Sequence, residues 1–329
     1  MRRFRCHRCG VELFFDNDRC TNCGGNVRYV PERDDLVTYE DALPDKLHEC
    51  SIGVEHGICN WTTPAEGTPC ASCALTVTRP DLTVPGVMEY WRHFELAKRR
   101  VLRQIWGYGI PTDAPEPPAD GSPPGPGEVG LTFELLASAP GTPVTIGHAD
   151  GLVSLDVTEA DPETRERERA ELGEPYRTPL GHVRHEVGHY VWARMIDGTD
   201  QLESFRKLFG DEREDYQEAL RTHYAGTDDG SWQKDHISFY ASAHPWEDFA
   251  ETFAHALHMH DTMDTARAFG LTGRRQPRKW ADRYAQWVEL EVALNSLNRA
   301  MGHDDAYPFV LPEPAVDKLR YVEEIILES

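Results

Sequence analysis

Leu180-Gly-His-Val-Arg-His-Glu-Val-Gly-His-Tyr-Val191 decides how the chain is read. Leu180, Val183, Val187 and Val191 recur at three- and four-residue spacing, which predicts an amphipathic helix over 180–196 with one buried stripe. His185 and His189, at i and i+4, share another face, so two imidazoles one turn apart can converge on one ion. Glu186 stands beside the first of them, where a carboxylate reaches water on a metal without coordinating it, as a general base must. A His-Glu-x-x-His string also arises by chance, so the reading depends on a third ligand.

Ala241-Ser-Ala-His-Pro-Trp-Glu-Asp-Phe-Ala-Glu-Thr-Phe-Ala254 supplies candidates. Pro245 suits a first helical turn, and Glu247 and Glu251 then share a face. Glu247 is read as the third ligand, with Glu251, Asp248 and His244 as its competitors. Glu251, one turn on, is placed to accept a hydrogen bond from the distal nitrogen of a ligating histidine. Either glutamate could instead be a solvated surface charge. His182, His255, His258 and His260 are read as packing or solvent-facing rather than as a second metal site.

The same half of the chain sets the fold class. Residues 130–136 and 144–157 carry β-type residues around the turn Ala149-Asp150-Gly151, and from Pro162 onward the pattern is helical. Helices are expected in the charged run 162–172, at 180–196, near 211–224, from Pro245, at 278–300 and at 315–327. Strands followed by a run of helices predict an α+β fold with a small sheet. Upstream, 85–109 reads as an amphipathic helix, and seven prolines within 111–127 mark a linker or exposed loop. The expected division is therefore 1–75, 76–110, 111–127 and 128–329: cysteine-rich region, connecting helix, Pro-rich linker and mainly helical domain.

All eight cysteines lie within the first 73 residues, which favours a local metal module over a disulfide framework. Cys6-x2-Cys9-Gly10 and Cys20-x2-Cys23-Gly24 form two knuckles that place four thiolates around one ion, zinc by ligand logic, with a four-thiolate iron site as the alternative. Cys50, Cys59, Cys70 and Cys73 make a looser second set, in which His48 or His56 could replace a cysteine. One catalytic and one or two structural zinc ions are expected.

Composition excludes other classes. Lys and Arg number 34 against 56 Asp and Glu, a net charge of −22 that repels nucleic acid and anionic membranes. Arg2, Arg3, Arg5, Arg8, Arg19 and Arg28 give the N-terminus only a small basic excess over Glu12, Asp16 and Asp18. No apolar run is long enough to span a bilayer, and no apolar segment of signal-peptide type follows Met1, so the expected location is cytoplasmic.

An HExxH helix followed by Glu247 on a second helix, with Glu251 four residues later, resembles the gluzincin metallopeptidases. Tyr240 stands seven residues before Glu247, where some gluzincins carry a tyrosine that stabilises the oxyanion; the resemblance implies that role, against a half-buried packing tyrosine. The whole chain is also similar to a bacterial family of zinc-binding metallopeptidases with an N-terminal zinc ribbon. That likeness rests on CHRCG, TNCGG, Cys59-Asn60-Trp61, Cys70-Ala-Ser-Cys73, Glu95-Leu-Ala-Lys-Arg-Arg100, Gly173-Glu-Pro-Tyr-Arg177, HEVGHYVW and HPWEDFAETFAH. It implies a zincin-like domain, peptide hydrolysis through zinc-activated water, a peptide or protein substrate, and a ribbon open to a protein partner. It also suggests that a strand near Leu152 to Val157 offers an open edge to extended peptide. Two other readings compete: a SprT-like protease guided to nucleic acid by its ribbon, which the charge disfavours, and a non-catalytic interaction scaffold, which has no use for Glu186.

Overall fold

The computed structural model describes residues 2–44, 46–113, 129–139, 141–165, 178–273 and 275–327. The Pro-rich stretch from 114 onward, most of the charged run 162–172 and Gly173–Arg177 lie outside the described residues. The N-terminal region consists of short antiparallel pairs: β1 (Phe4–Arg5) with β2 (Glu12–Leu13), β3 (Asn26–Val30) with β4 (Asp35–Tyr39), and β5 (His48–Glu49) with β6 (Thr62–Thr63). Two short helices, α1 (Ser51–His56) and α2 (Ala71–Ala74), follow cysteines of the second set. Strands this short bury little apolar area, so the aromatic cluster of Phe4, Phe15, Tyr29 and Trp61 and the cysteines supply what core there is.

Strand β7 (Thr76–Thr78) leaves this region and joins a four-stranded sheet with β8 (Thr132–Leu136), β9 (Gly147–Ala149) and β10 (Leu152–Asp156), in the order β7-β8-β10-β9. Phe133, Leu135, Val153 and Leu155 alternate with half-buried neighbours and face the core, and parallel pairing sets Val153 against Phe133 and Leu155 against Leu135. Asp150 and Gly151, at φ 47° and 80°, make the tight turn between β9 and β10. A Cβ on Gly151 would come within 2.5 Å of the Gly130 carbonyl oxygen, so this turn admits only glycine there. β10, expected to present an open edge, is paired on both sides; among the described residues the edge strands are β7 and β9.

Helix α3 (Val87–Gly107) is the spine between the two halves. Trp91, Arg103 and Trp106 meet the N-terminal region: Trp91 packs on His56, Trp106 on Trp61, and Arg103 grips Asp34 through Nε and Nη2 at 2.6 and 2.9 Å. Gln104 on the same helix donates to the Leu257 carbonyl at 2.7 Å. Among the described residues, the remaining helices of eight residues or more are α4 (Pro179–Met195), α5 (Leu202–Phe209), α6 (Tyr216–Ala225), α7 (Pro245–Phe269), α8 (Trp280–Ala300) and α9 (Glu313–Leu327). α5 was not anticipated, and the helix expected near 211–224 begins only at Tyr216, where Asp215 accepts from the Glu218 N–H as N-cap.

α4 starts at Thr178, whose Oγ1 accepts from the Gly181 N–H, with Pro179 in the first turn. Val183, Val187 and Val191 are buried as the apolar stripe requires, but so are Arg184, His185, Glu186 and Tyr190 on other faces. The helix is wedged between α3 and α7, so tertiary packing encloses faces that a surface helix would leave wet. α7 is enclosed in the same way and carries its own caps, His244 at the start and Gly270, at φ 74°, at the end. The two helices touch backbone to backbone: a Cβ added to Gly188 would lie 2.9 Å from Ala250 Cα and 3.3 Å from Phe253 Cβ.

This contact generates a stability prediction. In an exposed helix, valine in place of glycine would raise helix propensity. At Gly188 it must push α4 from α7, so Gly188→Val is expected to lower the unfolding free energy by about 2 kcal/mol or more in denaturant titrations. An unchanged midpoint would show that the helices do not meet there.

Candidate metal centre

The close approach of α4 and α7 sets the geometry between them. His185 Nε2 lies 3.2 Å from His189 Nε2 and 3.0 Å from Glu247 Oε2, and His189 Nε2 lies 3.4 Å from the same oxygen. Ligands about 2.0–2.1 Å from a tetrahedral zinc ion stand roughly 3.3 Å apart, so the three atoms match one face of such a shell. Glu247 is 1% exposed, which leaves its charge to be answered inside the protein. Burial alone would push its carboxyl up, but His189 and His185 hold it well below the usual range, so it is ionised as a ligand must be.

A second layer of contacts orients these groups. His185 Nδ1 is 2.8 Å from Glu251 Oε1, whose other oxygen accepts from Ser238 Oγ at 2.8 Å. With Nδ1–H donating to Glu251, the Nε2 lone pair is free for a metal. The Tyr216 hydroxyl donates to Glu247 Oε1 at 2.6 Å, leaving Oε2 to face the histidines. Sequence reading missed Tyr216, because a tyrosine 31 residues upstream on another helix carries no spacing signal. His148, on the free-edge strand β9, lies nearly parallel to His189 with ring centroids 6.4 Å apart and accepts from the Gly151 N–H through Nε2. Burial first and His189 second push its pKa down to about 4, so this ring is neutral.

Glu186 is buried on the same helix. Its Oε1 lies 3.4 Å from His182 Nε2, and His182 Nδ1 is 2.8 Å from Glu159 Oε2. Glu186 Oε2 has no hydrogen-bond partner among the described residues. Tyr240 sits in the short 3-10 helix Tyr240–Ala243, its ring centroid 5.8 Å from that of His185. Burial, followed by the charge of Glu247, pushes its phenol far up, so the hydroxyl keeps its proton. The competing ligand candidates are otherwise engaged: Asp248 Oδ2 accepts from Lys318 Nζ at 2.6 Å, and His244 caps α7. His255 pairs with Tyr307, His258 stacks on the same ring, and His260 meets Tyr108 and Glu323.

The eight cysteines gather into two clusters. Cys6, Cys9, Cys20 and Cys23 form one and Cys50, Cys59, Cys70 and Cys73 the other, with the sulfurs of each within 4.8 Å of one another. Cys6–Cys23, Cys9–Cys20 and Cys59–Cys70 are separated by 3.6, 3.7 and 3.7 Å, close to the ~3.8 Å edge of a tetrahedron with 2.3 Å zinc–sulfur bonds. His48 and His56 belong to neither cluster. Arg2, Arg3, Arg8 and Arg28 each sit against a carboxylate, so most of the small basic excess is spent within the module.

Residues 87–325 match the family model described as "putative zinc-binding metallo-peptidase", and residues 3–84 match a zinc-ribbon domain. The chain belongs to this zinc-binding metallo-peptidase family. An uncharacterized protein of Mycobacterium bovis and one of Mycobacterium tuberculosis are each 39% identical over 340 residues, covering 100% of this chain and 96% of theirs. No solved structure matches the chain. Among the described residues, no helix of this chain is long and apolar enough to cross a membrane.

The pair of Glu159 and His182 predicts a pH dependence. Burial opposes the charge on His182, but Glu159 and Glu186 prevail and push its pKa up to about 10 from 6.5. A pKa raised on folding stabilises fully below the unfolded value and is lost as pH rises through the folded one. Unfolding free energy of the zinc-loaded protein should therefore fall between pH 6.5 and 10. His182→Gln should flatten that fall by at least about 1 kcal/mol in denaturant titrations across the range.

Proposed function

We propose that the chain hydrolyses peptide bonds by a gluzincin-like mechanism, with zinc held by His185, His189 and Glu247. The observation that carries this reading is the near-tetrahedral spacing of three donor atoms, 3.0 to 3.4 Å apart, beside a buried carboxylate that is not one of them. Zinc held there supplies a Lewis acid for the scissile carbonyl and brings the pKa of water to about 7.

The chain's own residues do the rest. Glu186 takes a proton from the attacking water at Oε2, the oxygen without a partner among the described residues, and returns it to the leaving amine. Tyr240, protonated and next to His185, donates to the oxyanion. Glu251 and Ser238 hold the His185 ring, and Tyr216 keeps Glu247 bound through one oxygen. The free edge of β9, three residues long and adjoining α4, is where an extended peptide would add as a strand. The two four-cysteine clusters hold structural zinc, and the protein acts in the cytoplasm.

Metal content and turnover separate the roles. Zinc-saturated wild type is expected to carry three zinc ions per chain, and Glu247→Ala two, by elemental analysis. Glu186→Gln should keep three and lose roughly 10²–10⁴-fold in kcat on any peptide the wild type cleaves from an unbiased library. Tyr240→Phe should lose roughly 10²-fold in kcat with KM nearly unchanged. Full turnover by Glu186→Gln would remove Glu186 from the chemistry.

A further inference from the structure

The run Glu95-Leu-Ala-Lys-Arg-Arg100 plays no part in the hydrolytic site, yet it buries three charges in the middle of α3. Glu95, Lys98 and Arg99 are 1%, 0% and 3% exposed. Lys98 Nζ lies 3.0 Å from Glu95 Oε2 and 3.1 Å from Oε1, and Thr76 Oγ1 donates to Oε1 at 3.0 Å. Glu95 is thereby matched by Lys98. Among the described residues, Arg99 reaches Glu95 only at 3.8 Å, and its Nε and Nη1 have no hydrogen-bond partner. One buried positive charge is left over, and such a charge is costly unless something offsets it.

The second cysteine cluster carries the opposite surplus. Four thiolates around a divalent ion leave two negative charges, and Cys50, Cys59, Cys70 and Cys73 are 1%, 7%, 0% and 5% exposed, so solvent does not screen them. Some of that charge is met by backbone N–H groups: Cys70 donates to Cys50 Sγ at 3.2 Å and Trp61 to Cys59 Sγ at 3.5 Å. α2, which begins after Cys70, packs on α3, and Thr76, three residues beyond Cys73, donates to Glu95 Oε1 and accepts from Lys98 Nζ, so the turn of α3 that carries Arg99 lies against the end of α2. Burial opposes the Arg99 guanidinium, and the charges of Cys59, Glu95, Cys73 and Cys70 favour it. The first cluster, with Cys9 exposed and Cys23 half-buried, has solvent for this purpose.

We infer that Arg99 is the counter-ion of the second four-cysteine site, so that a metal held by the ribbon and helix α3 of the peptidase domain keep each other in place. The ligand is a divalent, thiolate-preferring cation such as zinc, and the second ribbon is thereby a fixed part of the catalytic half.

The test uses the full-length zinc-loaded protein with a chelator and N-ethylmaleimide, reading the labelling rate of each cysteine by peptide mass spectrometry. Arg99→Met removes the charge and keeps most of the side-chain volume. It should speed labelling of Cys50, Cys59, Cys70 and Cys73 by about tenfold or more, while Cys6, Cys9, Cys20 and Cys23 change less than about twofold. Arg99→Lys keeps the charge and should stay within about threefold of wild type at both clusters. Equal rates for the methionine and lysine variants, or equal acceleration of both clusters, would overturn the assignment. Should Arg99→Met fail to fold, Arg99→Gln takes its place as the neutral member of the pair, with the same outcomes deciding. The readout requires no turnover, so it stands or falls apart from the proposed hydrolysis.

Discussion

Everything at the metal centre depends on how closely α4 and α7 approach. Gly188 lets the backbone of one helix rest on Ala250 of the other, and that contact lies one residue from His189, one residue from Glu251 and three from Glu247. A wider separation would move the carboxylates away from the imidazoles, and a metal site tolerates only tenths of an ångström. The glycine between the two histidines therefore acts through packing: it is the residue without a side chain that allows two others to meet. The ends of α7 support the arrangement. Lys318 on α9 reaches Asp248 and the Asp235 carbonyl, fixing the turn that carries Glu247.

α3 plays the corresponding part between the N-terminal region and the rest. One face meets the ribbons through Trp91, Arg103 and Trp106; Gln104 holds the middle of α7. Small modules with two-residue strands are marginal by themselves, and metal binding would supply much of their folding energy. Leaning on α3 gives them an apolar wall that their own sequence cannot provide. In return the bidentate contact of Arg103 with Asp34, itself hydrogen-bonded to Tyr29, pins a helix whose other face lines the peptidase core.

How much of this was legible in the sequence follows from the range of each interaction. The α+β class and the two cysteine clusters were legible because knuckle spacing and helical periodicity are local. The gathering of His185, His189, Glu247 and Glu251 was foreshadowed by i, i+4 spacing within each helix, although nothing in the sequence stated that the helices touch at Gly188. Tyr216 was invisible because its partner lies on another helix, and His148 because the hairpin that carries it could be read but not its proximity to α4. The open edge that the resemblance suggested near Leu152 to Val157 is not found at β10, because the hairpin folds β9 outside it. α5 was passed over because it is only about two turns long, although Leu202, Phe205 and Phe209 keep helical spacing.

An acidic chain with so many buried ionisable groups must answer each of them, and it does so in chains rather than isolated pairs. Glu159 holds His182, which faces Glu186; Tyr108 and Glu323 flank His260, and Arg283 holds Glu323 from the other side at 2.9 Å. Each link costs desolvation, so such networks add less to stability than their number suggests. Their gain is orientation: a carboxylate held at one oxygen has a single direction left for the other. At Glu186 that direction meets no donor among the described residues, and at Glu247 it points to two imidazoles. The same device, one oxygen anchored and one presented, thus gives two buried glutamates different surroundings, and the proposed roles of base and ligand rest on that difference.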